Sequence, residues 1–150
     1  MGLALDEAKR AYKKQEVPVG AIIVNTLTKK VISRGFNKRE TGHDATNHAE
    51  VLCIKKACKK IKDFRLENTA MFVTLFPCPM CMGAIVNARI DEVYVGASSD
   101  RVDDKLIETI FNNNLLNHKV KYTSGILEEE CGALVKKFFK ERRDANSSRT

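Results

Sequence analysis

Apolar residues along this chain switch between helical spacing and short continuous runs, and the switches mark out its elements. Leu3, Leu5, Ala8, Ala11 and Tyr12 recur at helical spacing and predict a helix over Leu3 to Gln15. Val17 to Val24 is apolar and rich in β-branched residues, the pattern of a buried strand. A polar turn from Asn25 to Lys30 leads into Val31 to Phe36, the returning strand of a hairpin. Asn37 to Asn47 is polar, contains Gly42 and reads as a loop. Helical spacing returns over His48 to Lys62, where Ala49, Leu52, Cys53, Ala57 and Ile61 share a face. Thr69 to Leu75 reads as a strand; Pro77 stops it, and Pro79 suits the first turn of a helix to about Ala88. A strand over Glu92 to Gly96, a helix over Asp104 to Asn112 and a short strand over Lys119 to Tyr122 follow. The last helix, Glu128 to Arg142, carries Leu134, Val135, Phe138 and Phe139 as its apolar stripe. The polar tail from Asp144 to Thr150 is expected to fray.

The resulting order, α-β-β-α-β-α-β-α-β-α, predicts an α/β fold: a mixed five-stranded sheet with helices on both faces, a three-layer α/β/α sandwich. The hairpin makes one pairing antiparallel. The later strands, joined through helices, should pair in parallel with right-handed crossovers. No repeat, low-complexity tract or linker interrupts the 150 residues, so a single domain is expected.

Composition narrows the class. Hydrophobic residues make up 43% and charged residues 30%, ordinary values for a soluble globular protein. No apolar run approaches the ~20 residues that span a bilayer. Met1 to Lys14 lacks the apolar core of a signal peptide and carries Asp6, Glu7, Lys9 and Arg10, so neither secretion nor membrane attachment is expected. Asp6 also stands where a myristoylation motif has Ser or Thr. The net charge of +7 suits a polyanionic partner, and equally a solvated lysine-rich surface. Five cysteines without a signal peptide point to a reducing cytoplasm, where spaced cysteines serve as metal ligands or catalytic groups more often than as disulfides.

Two segments carry the chemistry: His48-Ala49-Glu50 and Pro77-Cys78-Pro79-Met80-Cys81, each at the start of a predicted helix. A Cys-x-x-Cys there points both sulfurs one way, and the helix dipole favours the thiolate that binds zinc. His48, Cys78 and Cys81 make three ligands, which leaves a fourth tetrahedral position open, the catalytic pattern. Glu50 is close enough to handle the protons of a water activated there without being a ligand. That chemistry is hydrolytic replacement of an amino group on an electron-poor heterocycle. A closed structural site would need one more ligand from Cys53, Cys58, Cys131, His43 or His118. Cys53, Cys58 and Cys131 read as structural or inert thiols, and His118 as a surface or loop residue. A redox pair fits less well, because Pro79-Met80 separates the cysteines and the thioredoxin-like strand context is lacking.

The His-Ala-Glu and Pro-Cys-x-x-Cys segments resemble those of the cytidine/adenosine deaminase superfamily, zinc enzymes of a known mechanism. From about Leu5 to Arg143 the chain is most similar to the bacterial tRNA-specific adenosine deaminases. The similarity includes Glu16 to Ala21, Gly35-Phe36-Asn37, His43 to Glu50, Val73-Thr74-Leu75, Met80 to Ile85, and the stretch from Asn117 through Ile126-Leu127 to Phe138-Phe139. The resemblance implies one zinc ion on His48, Cys78 and Cys81, with Glu50 as the proton shuttle. It implies a base contact from Asn37, which alone would read as a turn residue. It further implies a pocket wall from Val19 and the backbone of Ala49 and Cys78, and a homodimer acting on the anticodon stem-loop of tRNA, where wobble adenosine becomes inosine. Lys136, Lys137, Lys140, Arg142 and Arg143 are candidates for holding phosphates. Two features depart from that subgroup. Phe76 stands where it has Glu, and Ser98 to Lys105 lacks its glycines. They fit the competing reading, a deaminase of a free base or nucleotide such as guanine, cytosine or deoxycytidylate. A non-enzymatic zinc-stabilised RNA-binding subunit is the third reading, and the presence of Glu50 argues against it.

Overall fold

The computed structural model describes residues 1–149, and the elements follow the expected order. They are α1 (Gly2–Lys13), β1 (Gly20–Asn25), β2 (Val31–Phe36), α2 (Ala49–Ile61), β3 (Thr69–Leu75), α3 (Pro79–Asn87), β4 (Glu92–Ala97), α4 (Asp104–Phe111), β5 (Lys121–Thr123) and α5 (Glu128–Ser147). The strands form one mixed sheet in the order β2-β1-β3-β4-β5. Helices α1 and α5 pack on one face, and α2, α3 and α4 on the other. The main core lies on the second face, where Ala21, Ile23, Met71, Val73, Val93 and Val95 meet Ala49, Cys53, Ala57, Ile85 and Ile107.

The hairpin docks differently from the simple expectation. It joins the sheet through β1, so β1 is antiparallel to both β2 and β3, while β3–β4 and β4–β5 are parallel. The crossover from β2 through α2 to β3 passes over one face of β1 while α1 covers the other, so β1 is buried on both faces, which explains its unbroken apolar run.

Some boundaries move, each for a local reason. Strand β1 begins at Gly20, not Val17, because Pro18 has no N–H and Val19 N turns back to Val17 O at 2.8 Å. Strand β5 begins at Lys121, because Val120 N is taken by Phe111 O at the end of α4. Helix α5 does not fray at Asp144. It runs to Ser147, since no Gly or Pro intervenes, and Ser147 Oγ donates back to Arg143 O at 3.0 Å. Thr150 lies outside the described residues.

Register brings distant sequence to one end of the sheet. Gly20 pairs with Phe36, and Leu75 with Ala97. Gly20 N also donates to Thr74 Oγ1 at 3.1 Å. Val19, Asn37, Phe76 and Ser98 therefore leave the sheet at the same end, where α2 and α3 start. The first turn of α2 sits directly on β2. A Cβ on Gly35 would lie 2.6 Å from Ala49 O and 2.9 Å from Cys53 N, so only glycine permits this approach.

The loop between β2 and α2 is held from below and from the side. Glu16, 1% exposed, accepts hydrogen bonds from Glu40 N at 3.2 Å and Thr41 N at 2.6 Å. Arg142 on α5 donates two bonds to the Glu40 carboxylate, at 3.0 and 2.7 Å, and one to Gln15 O at 3.0 Å. Lys38 N closes the loop onto Asn47 O, next to His48.

Two outcomes follow from these contacts. Gly35→Ala forces backbone against backbone and is expected to lower stability by about 1–3 kcal/mol, read as a lower urea midpoint; an unchanged midpoint contradicts the close packing. The hydrogen-bonded Arg142 guanidinium holds the Glu40 carboxyl below its ordinary value of 4.5, against a smaller opposing effect of burial. A carboxyl so lowered stabilises the fold above its unfolded value, and that contribution is lost as pH falls through the folded one. The two side chains are 43% and 46% exposed, so solvent screening limits the pair to under about 1 kcal/mol. Glu40→Gln should therefore cost that much at pH 7, with the gap closing as pH drops below 4.5; a gap that widens in acid contradicts the assignment.

Candidate metal centre and active site

His48 and Cys78 are the N-cap residues of α2 and α3, both in extended conformation, with φ/ψ of −72°/152° and −69°/168°. Each precedes a helix whose first N–H groups and dipole favour negative charge nearby. Cys81 lies in the first turn of α3 and is fully buried. The two N-termini meet so that His48 Nδ1 stands 3.6 Å from Cys78 Sγ and 3.5 Å from Cys81 Sγ. All three donor atoms lie within 4.8 Å of one another, and among the described residues this is the group of His, Cys and acidic side chains that can hold a metal ion.

Their spacing tests the metal directly. Zinc bonds of about 2.3 Å to sulfur and about 2.0 Å to nitrogen, at tetrahedral angles, place N and S about 3.5 Å apart. The observed separations match. The donors are also chemically differentiated. Cys78 is pulled down to about 4, chiefly because the Cys81 thiol donates to it and next because His48 hydrogen-bonds it, with burial opposing. Cys81 moves far upward, through that same bond and through burial. The Cys78 sulfur in turn raises His48.

None of the other candidate ligands joins the group. Cys53 is in the core, donates to Ala21 O at 3.6 Å, and burial pushes its thiol up to about 12. Cys58 donates to Phe64 O at 3.6 Å. Cys131 is buried on α5 against Gly96. His43 is exposed in a turn at φ 51°. His118 Nε2 meets Ile90 O at 2.8 Å, a structural contact. The arrangement is three donors with no fourth protein ligand among the described residues.

Glu50, 4% exposed, sits in the first turn of α2 beside the Cys81 side chain. Burial is the principal effect on its pKa and raises it above the ordinary carboxyl value. Asn37 is buried at the end of β2 and has the turn role its residue type suggests. Its Nδ2 donates to Val17 O at 3.2 Å, and its Oδ1 accepts from Arg39 N at 3.1 Å. That leaves one amide N–H and one lone pair unassigned. Asn37 N donates to Val19 O at 3.1 Å, which ties these two residues together. Val19 and Ala49 are buried in the main core cluster.

Of the five basic residues of α5, two are already engaged. Arg142 holds Glu40, and Lys137 lies 4.0 Å from Glu141 and 5.4 Å from the centroid of the Tyr12 ring. Lys136, Lys140 and Arg143 are exposed along one side of the helix. Sequence reasoning assigned no role to Glu16, although a carboxylate beside an apolar run is a signal of a buried, hydrogen-bonded group.

The family described as the cytidine and deoxycytidylate deaminase zinc-binding region matches residues 1–97. The tRNA-specific adenosine deaminase of Bacillus subtilis is 41% identical over 141 residues, covering 93% of this chain and 86% of that protein. The tRNA-specific adenosine deaminase of Buchnera aphidicola is 40% identical over 144 residues, covering 95% and 93%. A solved structure from a study of A-to-I editing by tRNA:A34 deaminases superposes with a TM-score of 0.82 at 36% identity, covering 89% of this chain and 96% of that one. With its motif, its fold and its three-donor site in agreement, the chain belongs to the cytidine and deoxycytidylate deaminase family of zinc-binding proteins.

Proposed function

We propose that this chain is a single-domain, zinc-dependent hydrolytic deaminase that converts adenosine to inosine at the wobble position of a tRNA anticodon. The observation that carries this reading is its near end-to-end similarity, at about two residues in five, to tRNA-specific adenosine deaminases. His48, Cys78 and Cys81 would hold one zinc ion per chain, as their separations allow. When bound, zinc supplies a Lewis acid that brings the pKa of water towards ~7.

Glu50 moves the protons. It takes one from the attacking water and delivers it to the ring nitrogen beside the reacting carbon. It then takes the proton of the new hydroxyl and delivers it to the amino nitrogen, which leaves as ammonia. One C–O bond forms and one C–N bond breaks, so adenosine and water become inosine and ammonia. Burial of Glu50 suits this work, because a desolvated carboxyl gains and loses a proton at a higher pH than an exposed one. Asn37 contacts the base edge with the amide hydrogen-bonding capacity its loop bonds leave over. Val19, together with the backbone of Ala49 and Cys78, lines the pocket for a base splayed out of its stack.

Lys136, Lys140 and Arg143 hold phosphates of the anticodon stem-loop, the role their exposure and spacing favour. The working protein is a homodimer in the cytoplasm. Exposed Phe64, Leu115 and Leu116 around a cavity of about 400 Å³ suit burial against a second copy, and five free thiols suit a reducing compartment.

Zinc-loaded protein incubated with tRNA bearing A34 should give inosine, read as guanosine on sequencing. Guanine, cytosine and deoxycytidylate should release ammonia far more slowly; the reverse ranking, with fold and zinc intact, replaces this reading with a small-substrate deaminase. Glu50→Gln should lower kcat at least ~10²-fold while keeping zinc and fold. Turnover at the wild-type rate contradicts the role given to Glu50.

A further inference from the structure

The segment that delivers Cys78 is stiff. Pro77 and Pro79 each have a fixed φ, and each restricts the residue before it, Phe76 and Cys78, to extended backbone. The observed Cys78 ψ of 168° is that conformation. A nearly rigid arm therefore runs from Phe76 into α3, and the position of the Cys78 sulfur follows from where Phe76 is anchored.

Phe76 is anchored twice. Its N–H donates to Ala97 O at 2.9 Å, which joins the ends of β3 and β4. Its ring, 7% exposed, meets Tyr122 of β5 edge-on, with centroids 5.7 Å apart and planes at 78°. Tyr122 in turn meets Phe111 of α4 at 6.2 Å. Three aromatic rings thus connect the metal loop to α4 and the sheet edge.

We propose that Phe76 is a positioning residue for the metal centre, and that the edge contact with Tyr122 sets the placement of Cys78 Sγ against His48 Nδ1. The proposal rests on the reading of His48, Cys78 and Cys81 as zinc ligands. A smaller side chain at either ring lets the arm pivot, and the Cys78 sulfur leaves the 3.6 Å separation from His48 Nδ1 that suits zinc. Phe76 touches neither substrate nor metal in this scheme; it acts through Cys78.

The test is zinc affinity by chelator competition, with the cobalt-substituted absorption spectrum as a second readout, on variants shown to be folded by circular dichroism. Phe76→Leu and Tyr122→Leu should each weaken zinc about tenfold or more and alter the cobalt spectrum. The double variant should be no worse than the weaker single one, because both act through one contact. Tyr122→Phe keeps the ring and should restore wild-type affinity. Phe72→Leu is the control: it breaks the Phe72–Tyr94 stack, at 4.7 Å, on the opposite face of the sheet, and should leave zinc affinity unchanged. If Phe76→Leu does not fold, Tyr122→Leu carries the test alone. Wild-type zinc affinity in folded Phe76→Leu or Tyr122→Leu overturns the proposal, as does an equal loss in Phe72→Leu. Wild-type protein that takes up no zinc overturns the ligand reading beneath it.

Discussion

Two sulfurs at the start of one helix have to stand 3.5–3.6 Å from a histidine nitrogen at the start of another, although 30 residues separate His48 from Cys78. Much of the fold around the site serves that constraint. The sheet register brings the ends of β2 and β3 to one side, so the helices that follow begin beside each other. Gly35 lets α2 sit against β2 without an intervening side chain. Pro77 and Pro79 stiffen the approach to α3, and Phe76 fixes its base. Both helices present their N-termini, where unpaired N–H groups and the dipole favour thiolate and carboxylate.

Two buried carboxyls close to this end of the sheet illustrate how environment assigns a task. Glu16 accepts two backbone N–H bonds and is held as a structural anchor for the loop that leads to His48. Glu50 is equally buried, but its surroundings are the Cys81 sulfur and His48, and burial dominates its titration. A carboxylate tied to two backbone donors serves as an anchor; a buried one beside the donor atoms of a metal site is placed to move protons.

Much of this was legible in the sequence because it is local. Periodicity and proline placement gave strands Val31–Phe36 and Thr69–Leu75 at their observed limits, and the two helix starts that carry the donors. The donor set itself follows from residue type and spacing. What escaped is what depends on contacts far apart in the chain. No local pattern reveals that the hairpin docks through β1, or that Arg142 reaches Glu40 across 102 positions. Arg142 read as a phosphate contact because its sequence neighbours are basic; its partner lies in another loop. Tyr122 looked like a short edge-strand residue, and only the fold places its ring against Phe76. The run past Asp144 reads as a tail because it is polar, but a polar helix needs no apolar face where it projects from the core.

X-ray absorption at the zinc edge of the metal-loaded protein tests the centre most directly. Two sulfur ligands at about 2.3 Å and two nitrogen or oxygen ligands at about 2.0 Å, with one ion per chain, are expected from one histidine, two cysteines and an open position. Three or four sulfur ligands would mean that Cys53, Cys58 or Cys131 closes the site, and would contradict a catalytic zinc held by His48, Cys78 and Cys81.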